Sequence, residues 1–221
     1  ALDPESPLKR ISIAESSIQK LRGLQAFKDR EIEKARDHWA AAHSADPLDL
    51  THLNNLAVID LYGERWVEAV DVLQQAYAIN RFHPKVVSNI AYCLMQLGDL
   101  EAAGFWSRQA SLLNPWLSLP QALTARLALQ IGKHRDALSA ARSAVRLAPT
   151  SHQARLLLAS AHEASGDSES ARVQRDYAAT LPRQTRYFDH LIKPDDLQPW
   201  GPIRRERPEG PTRQPSLAKW V

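Results

Sequence analysis

Cysteine is almost missing from this sequence: its 221 residues hold one, Cys93. That excludes an internal disulfide framework and a four-cysteine zinc site. Long hydrophobic runs are missing too. No stretch approaches 18 uninterrupted apolar residues, so no membrane-spanning helix is expected. Net charge is small, +3 from 28 basic and 25 acidic side chains. There are eight glycines, and none stands in a Walker loop or a dinucleotide fingerprint; a serine-elbow motif is likewise missing. What is present is ordinary for a folded chain, with 44% hydrophobic and 24% charged residues. Full disorder would need fewer apolar residues and more net charge.

The composition divides the chain. Alanine and leucine number 61, of which 57 lie in residues 1–181. Proline splits seven and seven at that boundary, although residues 182–221 are far fewer. Residues 1–181 carry 20 basic and 20 acidic side chains, and residues 182–221 carry 8 and 5. A neutral, Ala/Leu-rich body therefore precedes a basic, proline-rich tail. The sequence starts at Ala1 rather than Met. That is compatible with an exported chain that has lost a leader, and equally with a trimmed one.

The body repeats with a period of 34 residues. Ala35, Ala69, Ala103, Ala137 and Ala171 are evenly spaced, and a second alanine follows each by seven, at Ala42, Ala76, Ala110, Ala144 and Ala178. Two alanines seven apart lie on one helix face about two turns apart, where small side chains allow close helix approach. Gly98, Gly132 and Gly166 precede three of the repeating alanines by five and are expected to end one helix before the next begins. The second repeat shifts its glycine to Gly63, and the first has Arg30 there. Pro47, Pro115 and Pro149 stop the second helices. Apolar residues recur at three and four spacing, as in Leu56, Ile59, Val70, Leu73, Ala76 and Tyr77.

This pattern resembles the tetratricopeptide repeat (TPR) family. The resemblance implies an all-α, right-handed TPR solenoid of about five helix-turn-helix repeats. It divides the chain into an N-terminal extension (1–15), repeats at 16–49, 50–83, 84–117, 118–151 and 152–183, a C-terminal cap (184–192) and a tail (193–221). The cap would draw on Tyr187, Phe188, Leu191 and Ile192. The early Trp of the family's first helix is replaced by Gln19, Leu53, Val87, Gln121 and Arg155. Its Leu-Gly pair becomes Arg22-Gly23, Leu56-Ala57, Ile90-Ala91, Thr124-Ala125 and Leu158-Ala159. The aromatic four residues after the first alanine is kept only as Trp39.

Sequence features for catalysis are weak. The eight histidines, His38, His43, His52, His83, His134, His152, His162 and His190, are scattered and read as surface or helix-end residues; His162-Glu163 lacks the second His of a zinc protease. Cys93 reads as a small buried hydrophobe. Asp195-Asp196 lack an apolar pocket to separate their pKa values. No enzyme, metal or cofactor is expected. Nucleic acid is not expected either, because phosphate binding needs a concentrated basic face; Arg204, Arg205 and Arg207 read as a solvated charge run.

In the TPR family the first helices line a concave groove. The resemblance therefore places Lys20, Phe27, Asn54, Asn55, Val58, Tyr62, Lys85, Asn89, Tyr92, Met95, Gln96, Arg126 and Gln130 in a partner-binding groove. Asn55 and Asn89 hold the same repeat position. An Asn amide both donates to and accepts from a peptide backbone, which suits an extended ligand; the other reading is that each bonds within its own repeat. Lys20, Asn55 and Lys85 match three of five positions of the carboxylate clamp in chaperone-binding TPR domains, but Leu24 and Asn89 replace the others. Among the tryptophans, Trp66 is expected in the core, and Trp106 and Trp116 are open between core and surface. The tail, with Pro199-x-x-Pro202 and Pro208-x-x-Pro211, favours polyproline conformation, with Trp200 and Trp220 as anchors. It would either fold back on its own repeats or wrap a partner.

The expected function is a non-catalytic scaffold for an extended or C-terminal segment of a protein partner. Asn54–Asn80 and Asn89–Ala103 are similar to segments of bacterial envelope TPR proteins of Tad and type IV pilus systems. That implies a pilotin-like assembly factor for a secretin, in the periplasm or at the inner face of the outer membrane, with a membrane link only through a lipid anchor outside this sequence; a cytoplasmic site stays open. The alternatives are a structural subunit acting through its convex face and tail, and an accessory domain of a larger enzyme.

Overall fold

The computed structural model describes residues 7–182 and 188–193, without the side chains of Leu8, Lys9 and Phe188. Within them the chain is all-α. Ten α-helices run α1 Pro7–Lys28, α2 Ile32–Ala45, α3 Leu50–Tyr62, α4 Trp66–Ile79, α5 Pro84–Gln96, α6 Leu100–Leu113, α7 Ser118–Gln130, α8 His134–Leu147, α9 His152–Ala164 and α10 Ser168–Thr180, followed by a 3-10 turn, Phe188–His190. The described residues form two compact units. The first holds residues 7–81 with 188–193, and the second residues 82–182. No helix among them is long and apolar enough to cross a membrane. The expected all-α tetratricopeptide solenoid class is what the helices form.

The helices arise where the 34-residue period puts their signals. All ten repeating alanines, Ala35 to Ala178, are fully buried. In the first unit α1 packs on α2 and α3 on α4, with α2 against α3. In the second, α5, α7 and α9 pair with α6, α8 and α10, and α7 touches both α5 and α9. One core cluster there is Ala125, Ala128, Ala137, Ala140, Ala141, Ala144, Val145, Ala154, Leu157, Leu158 and Ala161. Alanine dominates it, so the helices pack close, with little apolar area per residue. Helices α2, α6 and α8 each stop two residues before Pro47, Pro115 and Pro149. Asp49, Asp99, Ser151 and Asp167 accept the free N–H groups of Thr51, Ala102, Ala154 and Ser170 at the starts of α3, α6, α9 and α10, which satisfies donors no intrahelical partner reaches.

Every turn inside a repeat is the same Schellman motif. The N–H groups of Glu31, Arg65, Asp99, Lys133 and Asp167 donate to the carbonyls of Ala26, Asp60, Leu94, Ala128 and His162 at 2.8–3.0 Å. The left-handed residue is Arg30 (φ 64°), Glu64 (59°), Gly98 (84°), Gly132 (72°) and Gly166 (82°). This corrects the reading of Gly63 as a shifted turn glycine. Gly63 has φ −83°, and Glu64 takes the left-handed backbone, because the motif keeps its 34-residue register whichever side chain stands there.

One further expectation changes, and two open positions are filled. Trp66 is half-buried at the start of α4 rather than in the core. Trp106 is buried, edge-on to Phe105 with ring centroids 5.5 Å apart. Trp116 is 76% exposed, held in an Asx turn by its N–H to the side chain of Asn114. Where the family's aromatic is lost, Ser107 is buried instead and donates to the Pro120 carbonyl at 3.1 Å. The N-terminal extension is mostly helix, since α1 begins at Pro7.

Candidate functional site

Helix α3 is where the predicted site residues come together. Ten of its thirteen residues are buried, too many for a helix with one face on a core. Its inner face meets α2 and α4. Its other face is covered by the chain's own residues 188–193, which belong to the same unit.

Asn54 and Asn55 make three hydrogen bonds to that segment. Asn55 Oδ1 accepts from the N–H of Ile192 at 2.9 Å, and Asn55 Nδ2 donates to the carbonyl of the same residue at 3.2 Å. Asn54 Nδ2 donates to the His190 carbonyl at 3.1 Å and to Asn55 Oδ1 at 3.1 Å. A side-chain amide thus takes both backbone groups of one residue, as a neighbouring strand would, and its neighbour takes the carbonyl two residues earlier. The network fixes which end of each amide carries oxygen. Leu191 and Ile192 are 0% and 1% exposed. The segment expected to cap the last repeat therefore lies on α3. Its backbone finds the partners there that a buried chain needs. Tyr187, Trp200 and Trp220 lie outside the described residues.

At the start of α3 a polar cluster fixes the entry to this face. His52, the third residue of α3, is fully buried; of the surface or helix-end positions expected for the histidines it takes the helix end. Its Nε2 lies 2.8 Å from Ser16 Oγ and 3.5 Å from Asp49 Oδ2. Burial pushes the His52 imidazole below its ordinary range against the pull of Asp49. Burial raises Asp49, but hydrogen bonds from Thr51 and Lys20 outweigh it and hold the carboxyl low.

The other predicted residues separate by role. Lys20 pairs with Asp49 at 3.0 Å, so the helix's own N-cap takes the charge that a clamp would offer to a ligand carboxylate. Phe27 and Val58 are fully buried. The Phe27 ring packs on Trp39 at 5.8 Å and edge-on to Tyr62 at 6.2 Å, so it supports the groove wall from inside. Tyr62 is 36% exposed at the end of α3. In the second unit Lys85, Asn89, Tyr92 and Met95 are buried on α5, while Gln96 and Gln130 are exposed. The Arg126 guanidinium stands over the Tyr92 ring at 5.9 Å. What sequence reasoning missed is the burial of His52 and the helix that the cap residues Leu191 and Ile192 cover, α3. No group of three or more His, Cys, Asp or Glu that could hold a metal forms among the described residues.

Helical hairpins on a 34-residue period, joined by identical turns, with paired amides on a first helix, define a helical-repeat protein of the interaction-scaffold class. Models of the tetratricopeptide repeat match residues 84–115 and 123–183, so the chain carries tetratricopeptide repeats there. Solved structures share the fold. A thermophilic TPR protein of Thermus thermophilus, TTC0263, matches at 18% identity over 74% of this chain and 89% of its own, with TM-score 0.69. Pseudomonas aeruginosa pilF matches at 20% identity over 78% and 79%, with TM-score 0.63. Yeast Tom70 matches at 21% over 76% of this chain and 37% of its own, with TM-score 0.59. At these identities the likeness is one of fold. No curated protein matches the sequence.

Proposed function

We propose that the protein is a non-catalytic scaffold whose α3 groove holds an extended segment of a protein partner. One observation carries this reading: Asn55 pairs with both backbone groups of a single residue, Ile192. Such an amide recognises main chain, which any polypeptide presents.

The finer reading is a pilotin-like assembly factor of a bacterial pilus or secretion complex, acting on a secretin in the periplasm or at the inner face of the outer membrane. It extends the resemblance read from the sequence at Asn54–Asn80 and Asn89–Ala103, and the fold shared with pilF is compatible with it. The test is co-purification with a tagged full chain, followed by mass spectrometry. Asn54→Ala with Asn55→Ala should cut capture of the partner about tenfold or more, since each lost hydrogen bond is worth about 1 kcal/mol. Unchanged capture by a folded double variant refutes the groove reading. A second reading, a structural subunit docking through its outer surface, is favoured by Trp116 and Leu112, 76% and 60% exposed in the second unit. Loss of capture by Trp116→Ala, with the Asn variant unaffected, would select it.

A further inference from the structure

The residues that cover Asn54 and Asn55 have the marks of a ligand. They stand 136 and 137 positions away in sequence, beyond the last repeat helix. Three hydrogen bonds from the two amides reach backbone atoms of His190 and Ile192. From Asp189 to Lys193 the segment's apolar residues are two adjacent aliphatics, Leu191 and Ile192, both fully buried. His190 beside them is buried too, while Asp189 and Lys193 stay partly exposed and pair with each other at 3.9 Å. The segment enters as a 3-10 turn, Phe188–His190, and then passes Asn55. Backbone pairing plus two aliphatic side chains is a recognition rule many polypeptides can satisfy, and this chain satisfies it for itself.

We propose that Asp189–Lys193 is an internal ligand of the α3 groove. The partner this groove accepts is a protein segment with two adjacent aliphatic residues, whose backbone takes the place of His190–Ile192. The inference rests on the reading of α3 as the partner site. Tethering holds the resident segment at a high effective concentration, so a partner binds only the fraction of molecules whose groove is open. The site is thereby gated by its own chain, and an added partner, or any event that pulls the segment away, opens it.

The test uses the full chain and a fluorescent peptide copying residues 188–193, Phe-Asp-His-Leu-Ile-Lys. Leu191→Ser with Ile192→Ser removes the two anchors. A second variant, Ile192→Pro, keeps an apolar side chain but removes the N–H that Asn55 accepts. In anisotropy titrations either released chain should bind the peptide at least about tenfold more tightly than the wild type. Adding Asn55→Ala should abolish the gain, and a peptide with Ser at both aliphatic positions should not bind. If the double variant alone loses its helical signal, the comparison is made with Ile192→Pro. If both released chains lose it, the segment is a fixed part of the core and the proposal is overturned. Folded released chains that bind the peptide no better than the wild type also overturn it. In that event, partner capture that still falls with Asn54→Ala and Asn55→Ala leaves the groove reading standing. Capture that does not fall removes both.

Discussion

Two residues stand where their chemistry is unfavourable, and each gives a measurable consequence. Glu64 sits at φ 59° in the Schellman turn after α3, a backbone region that costs a side-chain-bearing residue about 1 kcal/mol and glycine almost nothing. Glu64→Gly should therefore raise stability by up to about 0.5 kcal/mol in denaturant melts, net of the entropy glycine adds to the unfolded chain. A loss of stability would mean that the Glu64 side chain makes an interaction worth more than the strain. His52 is the second. Its folded pKa lies below the ordinary 6.5, chiefly through burial, with Lys20 and His43 acting the same way and Asp49 and Asp46 opposing. The unfolded chain thus binds the proton more readily, so this stability is present above pH 6.5 and lost as pH falls towards the folded pKa. Thermal midpoints should drop from pH 7 to pH 5, and His52→Gln should flatten that drop. Asp49, also held low, acts in a separate window below its ordinary 3.8. The turn position of Glu64 was hidden in the sequence by Gly63 next door; only the strict register of the backbone motif reveals it. His52 was hidden because a polar residue near a helix start is usually exposed.

At the scale of elements, helix spacing depends on a few small residues. Gly23 on α1 faces the ring of Trp39 on α2, and a Cβ built there would lie 2.4 Å from Nε1 and 2.6 Å from Cδ1. The Trp39 ring is itself fully buried, and its N–H donates to the Lys20 carbonyl at 3.3 Å. The ring cannot move aside without breaking that bond and opening the Phe27 stack. Gly23→Ala should accordingly cost about 1–3 kcal/mol, the usual penalty for overfilling a packed site, read as a lower denaturation midpoint with an unchanged slope. An unaffected midpoint would show that α1 and α2 can separate freely. The equivalent residues Ala57, Ala91, Ala125 and Ala159 are all buried, so the first repeat alone needs glycine, because it alone carries a tryptophan opposite. This is why the helices were legible and their occupant was not. Alanine spacing, turn residues and prolines are local and repeat five times. The bond from Asn55 to Ile192 joins residues more than a hundred positions apart, once, through backbone atoms that leave no trace in residue type.

At the scale of the whole molecule, the question is how firmly residues 188–193 are held. Burying Leu191 and Ile192 contributes about 3–6 kcal/mol together, and three hydrogen bonds add about 1 kcal/mol each. Ordering these six residues costs about 1–2 kcal/mol apiece in backbone freedom. The two sides nearly cancel, which is what an exchangeable segment requires and a core element does not. Two truncated chains isolate the term, one ending at Lys193 and one at Pro182. Both lack residues 194–221, so their difference reports only the segment and the short stretch before it. The chain ending at Pro182 carries 20 basic and 20 acidic side chains; with no net charge to keep molecules apart, its melts belong at low protein concentration. It should unfold in one cooperative step roughly 2–4 °C below the chain ending at Lys193, the shift that about 1 kcal/mol produces at this size. A difference of ten degrees or more would show that the first unit depends on the segment for its fold. The surplus positive charge of the sequence would then follow an element of the core, and partners would have to bind elsewhere.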